Sequence, residues 1–511
     1  MIIKKYGKMK QIIKYSLMAL LAVVAVACSP TLPEHYVNTG TRPVIRPDYI
    51  DVTIPCNIAP LVFSIEDKAD EYVTRLSCGA QELLIAGSEV APAPEEWGKL
   101  VAAATGSELK AEVFTAKNGK WRAYDSFVIK VSPDTIDSYI SYRLIPPSYV
   151  AYERLSISQR NVTNYDENII YNNMLVTREP EGQCINCHAY KNHRTDNMQF
   201  HVRQYKGGTL FVHNGKNFKV NMTTDSTLSA GVYPAFNPRY DVVAYSVNKT
   251  GQIFHTKSTN RIEVQDAASD IILFDPVNLT VTTVAGDTTK LEVFPWWSPD
   301  GRTLYYCSSD LPVRYPGQDV VDAEVRRYKD IKYSVLRREW NPDTHEFSKA
   351  DTVFNAAKLG KSATFPRISP DGKYLLFAMA EYGCFHIWHQ DADLYVMNLE
   401  TGDYWPLEAA NSQQAESYHS WSSTGRWILF ASRRDDTNYS RLYIAHVGAD
   451  GKAEKAFLLP QQTSDFYTFF DRSYNVPEFM VEPVTTTPQQ FAEVIKGDAV
   501  KVKYVKPKSK N

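Results

Sequence analysis

The chain of 511 residues carries almost no net charge, with 56 Lys and Arg against 58 Asp and Glu and a formal charge of −2. That balance excludes nucleic acid as a partner, because a phosphate backbone demands a basic face. No apolar run long enough to cross a bilayer follows the first 28 residues, so no transmembrane helix is expected beyond them. No Gly-x-Ser-x-Gly elbow is present, which removes the usual support for hydrolase chemistry. Cysteine is scarce at seven, and no second Cys/His pair at zinc-ligand spacing accompanies the one Cys-x-x-Cys stretch. That stretch also lacks the βαβ context of a thioredoxin-type dithiol.

Against these absences stands Cys184-Ile-Asn-Cys187-His188. Two thiols three apart can add across the vinyl groups of a haem, and the adjacent histidine can become the proximal iron ligand. Composition alone produces the pattern with an expectation of about 0.002 in a chain of this make-up. The reading is covalent haem c on Cys184 and Cys187 with His188 on the iron. His201 and Met198 are the candidate distal ligands because they follow closely and a local helix or turn could fold them back. Met174, His193, His213 and His255 lie within conceivable reach.

Haem is attached to such motifs outside the cytoplasm, and the N-terminus is built for export. Lys4, Lys5, Lys8, Lys10 and Lys14 precede an apolar run from Leu17 to Ala27, too short to span and ending in Ala25-Val26-Ala27-Cys28. Small residues before a cysteine resemble a bacterial lipobox, which implies diacylation of Cys28, palmitate included, and a tether to the bacterial membrane facing the periplasm. The outer membrane is the expected one. Residues 29–44 read as the spacer from the membrane.

Tyrosine (32), Phe (22) and Trp (9) are abundant, as β-rich architecture prefers. Residues 45–150 alternate short β-like runs with turns, the pattern of a small antiparallel sandwich of immunoglobulin-like length. Within it Cys56 and Cys78 could bridge, whereas Cys307 and Cys384 are isolated. From residue 206 to 485 a repeat appears. Tyr233-Pro-Ala-Phe-Asn-Pro, Phe294-Pro-Trp-Trp-Ser-Pro-Asp-Gly, Phe365-Pro-Arg-Ile-Ser-Pro-Asp-Gly and Tyr418-His-Ser-Trp-Ser-Ser-Thr-Gly each lead into an apolar strand. Each reads as strand, tight turn and strand, and the spacing suits four-stranded propeller blades with variable loops. Residues 151–205, between sandwich and propeller, are expected to be a short haem-bearing connection partly covered by its neighbours.

These segments resemble the TolB-like β-propeller repeat, most closely in the second and third copies. The combination of lipobox, sandwich, one haem motif and propeller resembles bacterial lipoproteins often labelled cytochrome c biosynthesis proteins. The shared stretches include Phe200-His201-x-Arg203, Ile387-Trp388-His389 and Tyr474-Asn475-Val476-Pro477-Glu478-Phe479. The resemblance implies an all-β chain: a sandwich, the haem segment and a propeller of about six blades. It implies no settled reaction.

A tethered electron carrier with the propeller as docking platform is the leading functional expectation. A propeller-based binding or assembly module with a structural or sensory haem is the alternative. Either would use a redox or assembly protein partner, and no catalytic residues emerge. Cys384-Phe-His386-Ile-Trp-His389 reads as a packed loop and His419 as structural or channel-facing. Residues 486–511, with Lys501, Lys503, Lys506, Lys508 and Lys510, read as a solvated, disordered tail.

Overall fold

A computed structural model describes residues 30–147, 153–176, 182–312 and 326–507. Cys28 lies outside them. The chain is all-β, and its larger part is a β-propeller. Among the described residues no helix is long and apolar enough to cross a membrane.

The N-terminal domain joins a seven-stranded sheet, from Val37–Asn38 to Phe127–Ser132, with a three-stranded sheet of Ile45–Arg46, Phe63–Ile65 and Glu89–Val90. Its helix Pro94–Ala104 starts with a proline, whose fixed φ suits a first turn, and buries Trp97, Leu100, Val101 and Ala104 at helical spacing. The core of this domain runs on without a break into the propeller, from Phe63, Leu109 and Ile129 to Trp427, Ile444 and Phe457. Polar contacts fix the docking: the Asp137 carboxylate accepts from the Ser423 N–H at 2.7 Å, and Trp427 Nε1 donates to the Asp134 carbonyl at 3.2 Å. Cys56 and Cys78, which could have bridged, do not, and all six described cysteines are free thiols.

Five sheets follow in a ring, and the ten-stranded one carries two of the six innermost strands. Their innermost strands are Gln183–Lys191, Val232–Phe236, Lys290–Trp297, Ser362–Ile368, Glu416–Trp421 and Ser473–Met480. Each packs against the next, and the last returns to the first. The ring is closed by the chain's late segment. Ser473–Met480 pairs antiparallel with Tyr139–Ile145, which continues through Ser156–Asn161 to Glu167–Asn172.

The expected boundaries therefore need correction. Residues 139–172 and 183–221 belong to the propeller, so residues 151–205 are not a connection: Cys184, Cys187 and His188 sit on the innermost strand of a blade. The reason lies in the signature used to find blades. These two sheets lack the aromatic residue that opens the other four copies, Tyr233, Phe294, Phe365 and Tyr418, and carry Cys187 and Val476 there instead. The C-terminal tail also differs, since Pro488–Lys496 is a helix opened by a Thr487/Gln490 capping box, with Phe491, Ala492 and Ile495 packed beneath two blades. Val500–Lys501 and Lys503–Tyr504 then add as outer strands to successive sheets.

The repeated turns have a common construction. Gly301 N–H donates to the Ser298 carbonyl at 2.9 Å, while the Ser298 hydroxyl accepts the Thr303 N–H at 2.9 Å. Ser369 and Ser422 do the same for Tyr374 and Trp427. Gly301 has φ +71°, and an added Cβ there would lie 2.3 Å from Asn237 Oδ1.

Candidate functional site

All six inner strands carry a residue in the left-handed region at one equivalent position. They are Cys187 (φ 53°), Tyr233 (49°), Phe294 (55°), Phe365 (55°), Tyr418 (50°) and Val476 (47°). Pairing with the second strand shifts register there in the first five, and the partner of Ser473–Met480 shows the same irregularity. A bulge of this kind interrupts the period-2 alternation and turns a side chain that would face a neighbouring blade toward the axis. Four of the six are aromatic and form a layer across the channel: Tyr233 meets Phe294 edge-on at 4.7 Å, Phe294 stacks on Phe365 at 4.0 Å, and Phe365 meets Tyr418 at 4.9 Å. Cys187 and Val476 complete the ring.

The Cys184-Ile-Asn-Cys187-His188 stretch thus occupies the place of a propeller repeat. In a regular strand Cys184 and Cys187 would point to opposite faces; with the bulge at Cys187, both line one cavity of about 1790 Å³ along the axis, together with Asn186 and His188. Arg143 Nη2 lies 3.6 Å from the Cys184 sulfur, and Arg203 is the cross-strand partner of Cys184. Burial pushes the Cys187 thiol up, with Arg203 and Arg143 opposing that shift.

His188 follows the bulge, as His419 does in its own blade. His419 Nε2 meets the carbonyl of Phe365, the bulge residue of the preceding blade, at 2.7 Å. His188 lies likewise beside the Val476 backbone, but neither of its ring nitrogens makes a hydrogen bond among the described residues. It is 1% exposed, and burial pushes it down to about 4 despite the Val476 backbone.

The expected distal ligands separate by strand parity. On Arg194–Gln204, Met198, Phe200 and Val202 pack into an apolar core with Ile185, away from the cavity, so Met198 cannot serve as a ligand beside His188. His201 and Arg203 occupy the other face and line the cavity. His201 is buried, contacts the Thr209 hydroxyl at 3.1 Å and is pushed down to about 3 by desolvation. It stands opposite Asn186 on the strand next to His188. His188 and His201 thus stand on neighbouring strands of one sheet and line the same wall of the cavity. His193 contacts the Phe479 carbonyl and His213 sits at an exposed strand end, neither in the cavity, whereas His255 lines it. The Cys384 to His389 loop is tightly bonded: His386 Nδ1 meets Thr364 Oγ1 at 3.0 Å, and His389 Nε2 meets Glu263 Oε2 at 2.8 Å. No cluster of three His, Cys, Asp or Glu suited to a metal occurs among the described residues.

The donor set and the space accept a porphyrin. Two free thiols and the buried His188 line one cavity, which exceeds the roughly 300–1,000 Å³ of common small-molecule sites. When bound, a haem c would supply one-electron redox chemistry at iron.

The bulge was the feature hidden in the sequence. Aromatic-Pro marks it in three copies and Tyr418-His419 in a fourth; Asn475-Val476-Pro477 carries the proline alone, and Asn186-Cys187-His188 carries neither.

No protein-family model matches the chain, and no curated protein matches it. Among solved structures it is similar to a prolyl endopeptidase, at 11% identity over 63% of this chain and 42% of that one, with a TM-score of 0.32. It is also similar to prolyl oligopeptidase B from Galerina marginata, at 7% identity over 68% and 42% with a TM-score of 0.33. A third is the β-propeller domain of Myceliophteria thermophila Cps50 (Swd1), at 9% identity over 64% and 88% with a TM-score of 0.25. The match thus spans 42% of each peptidase's length.

Proposed function

We propose that this chain is a c-type cytochrome of the bacterial cell envelope, tethered by lipid at Cys28 and engaged in electron transfer. Cys184 and Cys187 would hold the haem, and His188 would be its proximal ligand. The observation that carries the reading is the bulge at Cys187, which turns both thiols toward a single axial cavity beside an imidazole with no hydrogen-bond partner. Arg143 and Arg203, next to the thiols, suit the carboxylates of such a group as charge-assisted donors. The hydrogen-bonded inner strands fix the donors. The rim of the propeller would serve as docking platform for a redox or assembly protein.

Expression with haem-maturation machinery should give a membrane-bound protein that stains for peroxidase activity in a denaturing gel. Changing Cys184 and Cys187 to Ser should abolish the stain, and Cys28→Ser should release the stained protein to the soluble fraction. A maturation-competent host yielding unstained, full-length protein would overturn the cytochrome reading.

A second reading, a binding module with a sensory haem, is favoured by one observation: Met198 faces away from the cavity and His201 shares a wall with His188. Rapid carbon monoxide binding by the reduced protein would select this reading over the carrier. A reduced protein that refuses carbon monoxide would select the carrier.

A further inference from the structure

The cavity walls are strongly one-signed. Arg143, Arg203, Lys257, Arg261, Arg367 and Arg433 line it, and Glu478 is the one carboxylate among its lining residues. Glu478 does not offset them, because burial pushes its carboxyl up to about 8 and so keeps it largely protonated at neutral pH. The cations fall into separate places. Arg143 and Arg203 flank the thiols. Arg367, two residues past the bulge of its blade, lies with its guanidinium 4.1 Å from the Trp296 ring centroid.

The remaining three gather at the mouth. Lys257 and Arg261 lie on the hairpin tip that links Val243–Phe254 with Ile262–Asp275 and projects beyond the sheet. This tip is held in place. Asn260 Nδ2 donates to the Tyr382 hydroxyl at 3.2 Å, its Oδ1 accepts the Gln390 N–H at 3.0 Å, and His255 stacks on Tyr328 at 5.0 Å. The loop it grips carries Trp388, and Arg433 from another blade lies over that ring at 4.6 Å. Arg433 spends its Nε and Nη2 on the carbonyls of Thr437 and Asn438. Burial pushes it down to about 10, with Asp436 opposing that shift and the positive charge of Arg261 adding to it. Neither Lys257 nor Arg261 spends its side chain on a hydrogen bond or ion pair among the described residues. Like charges held together at the edge of a low-dielectric cavity repel one another, and an anion between them relieves that repulsion.

We propose that the mouth of the channel is a binding site for a small anion bearing carboxylate or phosphate groups, held by Lys257, Arg261 and Arg433 against Trp388. Arginine's planar fork matches either oxyanion, and the indole offers a flat apolar wall to whatever carries it. The site stands on the hairpin and the Trp388 loop, so it does not require the haem. If the cytochrome reading holds as well, the ligand enters beside the redox centre.

Calorimetric titration of the full-length, detergent-solubilised protein at low salt tests this, with citrate and pyrophosphate as probes and glucose as the neutral control. Binding of citrate alone assigns a carboxylate ligand, binding of pyrophosphate alone a phosphate ligand, and binding of both a site that reads charge. The exposed pair Lys257→Gln and Arg261→Gln, changed together, should weaken binding by about tenfold or more, since each loses a charge-assisted hydrogen bond, while leaving the thermal melt in place. Binding of neither probe, glucose binding as tightly as the anions, or an unchanged affinity in the folded double variant overturns the proposal. The same titration on the Cys184→Ser, Cys187→Ser protein separates the two readings. Retained binding there, with the haem stain lost, upholds the anion site by itself; lost binding in that folded protein overturns its independence and returns the cations to the haem.

Discussion

The burial of His188 without a bonded partner makes a sharp demand on stability. Its imidazole is pushed down to about 4 in the folded protein by desolvation, against an ordinary value of about 6.5 in an unfolded chain. Between those values the unfolded state binds the proton and the folded state does not, so stability is fully present above about pH 6.5 and falls as the pH drops toward 4. At pH 5 the unfolded chain holds the proton almost completely and the folded chain scarcely at all. The gap of about 1.5 pH units below the unfolded value corresponds to about 2 kcal/mol lost relative to pH 7. His201, His386 and His419 are each pushed down to about 3 and steepen the same acid limb. Comparing His188→Gln with the parent isolates the one contribution, because the other three remain in both. In urea titrations of the haem-free proteins, the parent should lose about 2 kcal/mol more than the variant between pH 7 and pH 5. Parallel pH profiles would refute the reasoning, and with it the claim that this ring is sealed from water without a partner.

Glu478 should act in the opposite sense: its carboxyl is raised to about 8, so the folded state holds the proton and stability falls as pH rises from about 4.5 to 8. Glu478→Gln should remove that loss, read as a melting temperature that gains on the parent's progressively between pH 5 and pH 8. On the closing strand, Phe479 is 1% exposed. Phe479→Ala should cost about 3–5 kcal/mol and loosen the ring where its two ends meet, seen as a lower melting temperature and faster proteolysis. Gly301→Ala forces a Cβ to 2.3 Å from Asn237 Oδ1 at a φ of +71° and should destabilise by about 1–3 kcal/mol in chemical denaturation.

Much of the fold was legible because propeller blades repeat their turn chemistry. Ser-Pro-Asp-Gly marks a turn by its glycine φ and by the serine hydroxyl that accepts the backbone N–H five residues on, and both survive in the structure at Ser298 and Ser369. Blades that make the turn otherwise stayed hidden, as with Lys191-Asn192-His193-Arg194, where Asn192 and His193 adopt positive φ without a glycine. The C-terminal lysines misled for another reason. Lys501 and Lys503 sit on short strands that add parallel to the outer edges of two sheets, a pairing made by backbone groups and therefore silent in side-chain patterning.

The site was legible in its residues and illegible in its geometry. A Cys-x-x-Cys-His stretch suggests a local helix that folds back on its haem, and from that picture Met198 and His201 are equally near. A strand imposes parity instead. Met198 is an even number of residues from Phe200 and Val202 and shares their apolar face; His201 is odd and shares the cavity face with Arg203. The bulge then does for Cys187 what it does for Tyr233, Phe294, Phe365 and Tyr418, turning an inner-strand side chain to the axis. A propeller that fills this ring with aromatics closes its own channel by stacking. Replacing one aromatic by a thiol, and placing a second thiol three residues before it, opens one sector of that ring while leaving the backbone of the repeat unchanged. The Cys184 to His188 stretch therefore differs from the other repeats in its side chains and not in its backbone, at a position whose direction the bulge sets.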